Sequence, residues 1–115
     1  MILGTGIDII EIARIQKAIE RWGDNFIQHV FNEEEIAYAK GRKNPYQHFA
    51  ARFAAKEAVF KAVGDQKMVW KDLTITNDPD GKPTCRYRAR GFNKKILISM
   101  SHSKDYAVAS AIVTP

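Results

Sequence analysis

The chain has 115 residues, of which 45% are hydrophobic and 27% are charged, with seven glycines and four prolines. This composition excludes a disordered or collagen-like chain, and the length predicts one domain over residues 1–115. No apolar run reaches the roughly 18 to 20 residues of a membrane helix, and a lone Cys85 excludes an intrachain disulfide. We therefore expect a cytosolic protein, with Cys85 as a small strand residue.

Positive charge is concentrated in the second part of the sequence. The net charge is +5, and residues 43–115 carry thirteen Lys and Arg against six Asp and Glu. Such an excess steers association with anions without naming one. Nucleic acid, nucleotide phosphates, an anionic membrane and an acidic protein all remain possible partners at this point.

The first elements are predicted to be a strand and a two-sided helix. Residues 2–10 are rich in isoleucine and predict a buried strand in which Asp8 is the anomaly. Residues 11–22 then follow a helical period with an apolar and a basic side. The apolar side holds Ile12, Ile15, Ile19 and Trp22, and the basic side holds Arg14, Lys17 and Arg21.

Capping residues mark the helices that follow. Residues 25–31 predict a short helix or turn, and Asn32 before three glutamates predicts the start of another that runs to about Lys40. Asn44 and Pro45 repeat this start signal for the longest helix, which ends at Val63 before Gly64.

The remainder of the chain has strand patterns. Residues 73–76 and 84–90 flank the turn residues 78–81 and predict a hairpin, and residues 95–100 and 106–113 predict two further strands. Helices in the first part and strands in the second predict an α+β fold with a long buried helix and a mainly antiparallel sheet.

The long helix carries charges although its apolar residues surround most of its circumference. These charges are Arg52, Lys56, Glu57 and Lys61. Glu57 and Lys61 are four residues apart, so they either form an ordinary salt bridge or address the same ligand. Asp8, a carboxylate among isoleucines, also requires a cation. Asp8 and Glu57 together suggest a Mg²⁺ site, while Asp8 could instead cap the following helix or pair with Lys56 or Lys61.

Four segments resemble the holo-[acyl-carrier-protein] synthases, the small 4′-phosphopantetheinyl transferases. They are GIDIIEIARI at residues 6–15, ARFAAKEAVFKAVG at residues 51–64, GKP at residues 81–83 and SMSHS at residues 99–103. Their order and spacing match, and the resemblance spans about residues 1–113. The FAAKEA segment followed by KA is the most specific of them.

The resemblance implies transfer of 4′-phosphopantetheine from coenzyme A to a serine of apo acyl carrier protein, with release of adenosine 3′,5′-bisphosphate. It implies Asp8 and Glu57 as Mg²⁺ ligands, with Glu57 or a metal-bound water able to take the proton of the serine hydroxyl. Lys61 would hold the pyrophosphate and stabilise the leaving group.

Further site residues follow from the same resemblance. The expected contacts to coenzyme A come from Lys43, Arg52, Lys61, Gly81, Pro83, His102 and Ser103. The basic side of the first helix, Arg14, Lys17 and Arg21, would dock the acidic carrier protein. The family also implies a homotrimer with coenzyme A at the junctions between subunits, acting in fatty acid synthesis, without nucleic-acid or membrane partners.

The sequence departs from this family pattern in two places. Only residues 90–94 separate the hairpin from the next strand, where many relatives have a helical insertion. Asp65 and Gln66 stand where relatives often continue with a second glycine, which affects the backbone contacts expected from that loop.

Two other classes of function remain as alternatives. A basic nucleic-acid-binding domain would use Arg86, Arg88 and Arg90 around Tyr87, although their alternation equally fits a strand with one solvated face. A non-catalytic module for acidic proteins would use the basic side of the first helix. That second alternative leaves Asp8 and Glu57 without a role.

Overall fold

The computed structural model describes residues 1–64 and 67–115. Strand β1 (Gly4–Glu11) is followed by helices α1 (Ile12–Trp22), α2 (Asp24–Val30), α3 (Glu33–Lys40) and α4 (Pro45–Val63). A single 3₁₀ turn (Trp70–Asp72) leads to strands β2 (Leu73–Asn77), β3 (Pro83–Tyr87), β4 (Lys95–His102) and β5 (Tyr106–Thr114). The α+β fold class is confirmed, and Asp65 and Gln66 lie outside the described residues.

The strands form two antiparallel sheets instead of one. The larger sheet has the order β1-β5-β4, and β2 and β3 pair as a separate hairpin. The strand predicted over residues 84–90 ends earlier, at Tyr87, because the backbone turns at Gly91, whose φ is +80°. Only glycine adopts such a φ readily, so this residue permits the short connection from β3 to β4.

Two predicted starts of helices have the expected caps. At α3, the Asn32 side chain accepts a hydrogen bond from the backbone amide of Glu35, the N3 residue. The Glu35 side chain accepts one from the backbone amide of Asn32, and the two bonds form a capping box. At α4, Pro45 occupies the first turn, and the helix ends at Gly64, whose φ of +76° allows a left-handed cap.

Helix α4 lies across one face of the larger sheet and forms the centre of the core. Its buried face is mostly alanine, and it packs on alanines of β5 that alternate with outward residues. These small residues let the helix and the sheet approach closely. The β5 alanines in this contact are Ala107, Ala109 and Ala111.

The approach is closest at β1, where two glycines face α4. A Cβ atom added to Gly6 would lie 1.9 Å from the Ala58 carbonyl oxygen, and one added to Gly4 would lie 2.0 Å from that of Ala62. No side chain fits at either distance. The glycine of the GID segment is therefore required for α4 to lie against the strand that carries Asp8.

One expectation about β1 is wrong. Ile7 and Ile9 are each 65% exposed, so the strand is not buried on both sides. Successive residues of a strand point to opposite faces, and Asp8 shares the α4 side with Gly6 and Ile10. Trp22, predicted on the core side of α1, is also mostly exposed, at 55%, since it follows the last buried turn of the helix.

Within the described residues, no helix is long and apolar enough to cross a membrane.

The close approach at Gly6 makes a prediction about stability. Gly6→Ala should lower the free energy of unfolding by about 3 kcal/mol or more, because backbone must move to admit the methyl group. Gly41→Ala is the matched control: its φ is −79° and its added Cβ would lie 3.3 Å from the nearest atom, so its effect should stay within about 1 kcal/mol. Urea unfolding of both variants measures the difference, and equal midpoints would contradict this packing.

Candidate active site

Asp8 points from β1 toward α4 and meets Lys61. The Lys61 Nζ atom donates to the Ile7 carbonyl oxygen at 2.9 Å and lies 3.3 Å from the Asp8 Oδ1 atom. The Asp8 side chain is 17% exposed, whereas that of Lys61 is 54% exposed. The Lys61 side chain therefore extends to the backbone of β1 and remains partly exposed to solvent.

Glu57 lies one helical turn before Lys61 and is half-buried beside the same carboxylate. Burial and then the negative charge of Asp8 raise the pKa of Glu57 above its ordinary value, while Lys61 lowers it in part. Two carboxylates and one ammonium group thus share a small region between β1 and α4. A carboxyl group with a raised pKa at such a place is suited to exchange protons.

The ordinary salt bridge considered for Glu57 and Lys61 is absent from the ion pairs of the described residues. Lys61 pairs with Asp8, one of the alternatives left open by the sequence. Lys56 does not reach Asp8, because it is turned into the core and pairs with Glu35.

The pair of Lys56 and Glu35 is a part of the structure that the sequence analysis missed. Both side chains are fully buried, and the Lys56 Nζ atom lies 2.8 Å from the Glu35 Oε1 atom. Lys56 also donates to the carbonyl oxygens of Val30 and Trp70, and Glu35 accepts the backbone amide of Ile75. This network ties α4 to the segments around it and satisfies both buried charges.

A second group of charged and aromatic side chains lies toward the start of α4; we call Tyr38, Arg42, His48, Arg52 and His102 the cationic cluster. The Arg42 and Arg52 guanidinium carbons lie 4.2 and 4.1 Å from the Tyr38 ring centroid. The His48 ring lies 5.5 Å from that of Tyr38 and 5.9 Å from that of His102. The structure therefore brings Arg52 and His102, both predicted site residues, into one cluster.

Asn77 connects the cationic cluster to the hairpin turn. Its Oδ1 atom accepts a hydrogen bond from Arg52 Nη2 at 2.6 Å, and its Nδ2 atom donates to the Gly81 carbonyl oxygen at 2.9 Å. Asn77 was missed by sequence reasoning, since its strand-end position predicted only a turn. Gly81, with φ of +88°, is thereby fixed next to the first residue of β3, Pro83.

The other predicted site residues are placed at the surface. Lys43 is exposed in the loop before α4, and Ser103 is exposed in the turn between β4 and β5, where its hydroxyl accepts the Tyr106 amide. The basic side of α1 is also exposed, as its period predicted. Its members are Arg14, Lys17 and Arg21.

An apolar cavity of about 300 Å³ opens at the end of α1, next to Arg21, whose guanidinium carbon lies 4.8 Å from the Trp22 ring centroid. The cavity is lined by Trp22, Asn25, Phe26, His29, Val30, Phe53 and Trp70. Phe53 lies one helical turn before Glu57, so this cavity and the carboxylates border the same side of α4.

The donor set fits one kind of metal site. The described residues hold no group of three or more His, Cys, Asp or Glu side chains that could enclose a metal ion. Two carboxylates are instead what Mg²⁺ uses when waters and substrate phosphates complete its coordination. Asp8 and Glu57 could hold such an ion only together with a phosphate ligand.

Comparison with known proteins identifies the class of this fold and site. The family profile described as the 4′-phosphopantetheinyl transferase superfamily matches residues 4–111. The chain belongs to this superfamily.

Individual relatives are similar along their whole length. The holo-[acyl-carrier-protein] synthase of Thermodesulfovibrio yellowstonii is 48% identical over 115 residues, which cover 99% of this chain and all of that protein. The crystal structure of a holo-(acyl-carrier-protein) synthase from Bacillus anthracis in complex with CoA (3′,5′-ADP) is 39% identical, with a TM-score of 0.86 over 99% of this chain and 97% of that one. The Helicobacter pylori synthase in complex with coenzyme A is 29% identical, with a TM-score of 0.87 over 96% and 99% of the two chains.

The charges around Glu57 predict opposite changes in its pKa. In metal-free protein, Asp8→Asn should lower the pKa of Glu57 because a neighbouring negative charge is removed, and Lys61→Met should raise it because a positive charge is removed. NMR titration of ¹³C-labelled glutamate carboxyl groups measures both, with Glu33→Gln as a control that should change neither. An unchanged Glu57 pKa in both variants would contradict the described site.

Proposed function

We propose that this protein transfers the 4′-phosphopantetheine group from coenzyme A to a serine of apo acyl carrier protein, in support of fatty acid synthesis. The observation that carries this proposal is the meeting of Asp8, Glu57 and Lys61 between β1 and α4 in a member of the transferase superfamily. Relatives whose crystal structures contain coenzyme A support the substrate. The cytosolic location stays a prediction.

Asp8 and Glu57 are the proposed ligands of Mg²⁺. An ion held there would supply positive charge that polarises the attacked phosphorus and offsets the negative charge of the coenzyme A pyrophosphate. The two carboxylates give the site its negative charge, and burial together with the charge of Asp8 raises the pKa of Glu57.

The reaction forms a bond between the serine oxygen and phosphorus and breaks the bond from that phosphorus to adenosine 3′,5′-bisphosphate. Glu57 is one of the two proposed acceptors of the proton that the serine hydroxyl loses, the other being water at the metal site. Lys61, which is half-exposed at the same edge, donates to the pyrophosphate and stabilises the charge on the departing phosphate. No protein nucleophile is required, because positioning and charge supply the catalysis.

The remainder of coenzyme A is assigned to the cationic cluster and the hairpin turn. Arg52 and His102 belong to the cluster, and Asn77 links that cluster to Gly81. The turn, with Gly81 and Pro83, is proposed for the adenosine side, and the exposed Lys43 and Ser103 are proposed as additional phosphate contacts.

The acidic carrier protein is proposed to dock on the basic side of α1. Arg14, Lys17 and Arg21 are all exposed there. The apolar cavity at the end of the same helix would receive an apolar side chain of the carrier, since Phe53 in its lining lies one helical turn before Glu57. The nucleic-acid alternative loses support, because Arg86 of the basic hairpin is held by Glu34 at 2.8 Å.

A homotrimer is proposed from the face of the larger sheet that α4 leaves open. Ile7, Ile9 and Leu97 are between 52% and 65% exposed on this face, and no element of the described chain covers them. A patch of exposed large aliphatic side chains on one face of a sheet is typical of a contact between copies. Three copies around this face, with coenzyme A at the junctions, is the arrangement expected from the family.

The transfer reaction is tested by the mass of apo acyl carrier protein after incubation with coenzyme A, Mg²⁺ and this protein. The wild type should add one phosphopantetheine group, and Asp8→Ala, Glu57→Ala and Lys61→Met should each slow the addition about a hundredfold or more. Glu33→Ala, an exposed carboxylate on α3, is the matched control and should keep the wild-type rate. Near-normal rates of both carboxylate variants at limiting Mg²⁺ would show that the metal assignment is wrong.

Carrier docking predicts a selective effect of charge reversal. Arg14→Glu with Arg21→Glu should raise KM for the carrier about tenfold and leave KM for coenzyme A unchanged, because charges at the rim of an interface act mainly on encounter. Added salt should reproduce the effect, since it screens charges over roughly 8 to 10 Å. Arg88→Glu with Arg90→Glu controls for net charge, and equal effects on both substrates in the α1 variant would count against docking there.

The open face predicts the oligomeric state. Light scattering should give three copies for the wild type and a smaller species for Leu97→Lys, because a charge would be buried in the contact. Val69→Lys changes an equally exposed apolar residue elsewhere and should leave the trimer intact. A wild-type monomer would overturn the proposal.

Sites shared between subunits predict complementation. Asp8→Ala and His102→Ala chains, refolded together, should recover part of the transfer activity, because one junction can draw an intact half from each chain. Trimers shown to be mixed but fully inactive would place each site within one subunit.

A further inference from the structure

His48 has a position that the transfer mechanism above does not use. It lies on α4 in the cationic cluster, half-buried between the rings of Tyr38 and His102, at centroid distances of 5.5 and 5.9 Å. Arg52 lies one helical turn further along the same helix, and Arg42 stacks on Tyr38 from the loop after α3. The groups that act on His48 are therefore two arginines, a second imidazole and the Tyr38 phenol.

The charge of Glu35 acts on Arg52 of the cationic cluster, but that carboxylate is ion-paired with Lys56. Among the described residues, no carboxylate forms an ion pair with Arg42, His48, Arg52 or His102. Arg52 is 2% exposed, donates to the neutral Asn77, and its Nε atom is buried without a partner. Positive groups gathered in this way are stabilised when an anion binds.

The protonation of His48 depends on that anion. Burial, followed by the charges of Arg52, His102 and Arg42, lowers the pKa of His48 below its ordinary value. The imidazole is therefore neutral at neutral pH in the free protein, and no described residue hydrogen-bonds to its ring. A bound dianion would reverse the balance of charge and favour the imidazolium.

The position of His48 along α4 indicates which phosphate of coenzyme A would be the bound dianion. His48 precedes Glu57 by nine residues, which is about 13 Å along a helix axis. The pyrophosphate is assigned to Glu57 and Lys61, so the cluster is left for the 3′-phosphate at the other end of the nucleotide. That group is a monoester, which carries two negative charges at neutral pH, whereas each pyrophosphate unit carries one.

We propose that His48 is a specificity-determining residue that takes up a proton when the 3′-phosphate of coenzyme A binds in the cationic cluster. This inference rests on the proposed function, which supplies coenzyme A as the ligand. It adds the means by which coenzyme A is preferred to dephospho-coenzyme A. Above the second pKa of the phosphate, which is about 6, the preference declines as pH rises through the pKa that His48 has in the complex.

Calorimetry measures this proton directly. Coenzyme A and dephospho-coenzyme A, which differ only in the 3′-phosphate, are bound to the Mg²⁺-loaded protein at pH 7.5 in two buffers of different ionisation enthalpy. The phosphate is already almost fully dianionic there, since its second pKa is about 6. The wild type should take up a substantial fraction of one proton with coenzyme A and much less with dephospho-coenzyme A.

Variants assign the proton to a residue. His48→Gln should lose most of the uptake and about tenfold of the preference for coenzyme A. His48→Arg should keep the preference but lose the uptake, a result that a structural role alone would not produce. Arg88→Gln, which removes an exposed cation outside the cationic cluster, should keep both.

The failures of the inference and of the proposed function are distinguishable. Wild-type uptake and preference that persist in His48→Gln, or uptake that disappears only in His102→Gln, would overturn the inference while coenzyme A still binds. Binding of coenzyme A without any uptake by the wild type would also overturn it. A wild type that binds no coenzyme A would overturn the proposed function together with the inference.

Discussion

The contact between α4 and β1 at Gly6 places every charge of the site. Because a Cβ atom there would lie 1.9 Å from a carbonyl oxygen of the helix, the two backbones touch without side chains between them. Asp8, two residues later on the same side of the strand, is thereby brought against Glu57 and Lys61. Side chains between the strand and the helix would hold the two backbones further apart and would separate Asp8 from Glu57.

The four charged side chains of helix α4 differ in how deeply they are buried, and they differ in role accordingly. Lys56 is fully buried and satisfied by Glu35 and backbone carbonyls, so it contributes to the core and not to the site. Glu57 is half-buried, and Lys61 is exposed at its tip. Arg52 is buried but belongs to the cationic cluster one and a half turns away. One helix therefore carries residues of the proposed metal site, of the cationic cluster and of the core.

Local signals in the sequence predicted much of this structure. Asn32, Pro45 and Gly64 marked helix ends correctly, because caps depend on a few neighbouring residues. The anomaly of a carboxylate at position 8 and the four-residue spacing of Glu57 and Lys61 pointed to the strand and the helix between which these three side chains lie together. The family resemblance added the reaction, which no spacing alone could give.

What the sequence did not predict depends on contacts between distant segments. The exposure of Ile7 and Ile9 depends on which face of the sheet α4 covers, and the isoleucine-rich run of β1 conceals that alternation. The pairing of Lys56 with Glu35, and of Arg52 with Asn77, joins residues more than twenty positions apart. His48 belonged to no motif of the sequence, and its environment depends on Tyr38 of α3 and His102 of β4, which lie beside it.

The central claim is that Asp8 and Glu57 hold one metal ion, and a double-mutant cycle tests it most directly. Binding of Mn²⁺ in the presence of coenzyme A, followed by electron paramagnetic resonance, is compared for wild type, Asp8→Ala, Glu57→Ala and the double variant. If both carboxylates bind the same ion, each single change should remove most of the affinity and the double variant should bind little worse than either one. Losses that simply add in the double variant, or a single variant that binds Mn²⁺ as tightly as wild type, would contradict a shared site.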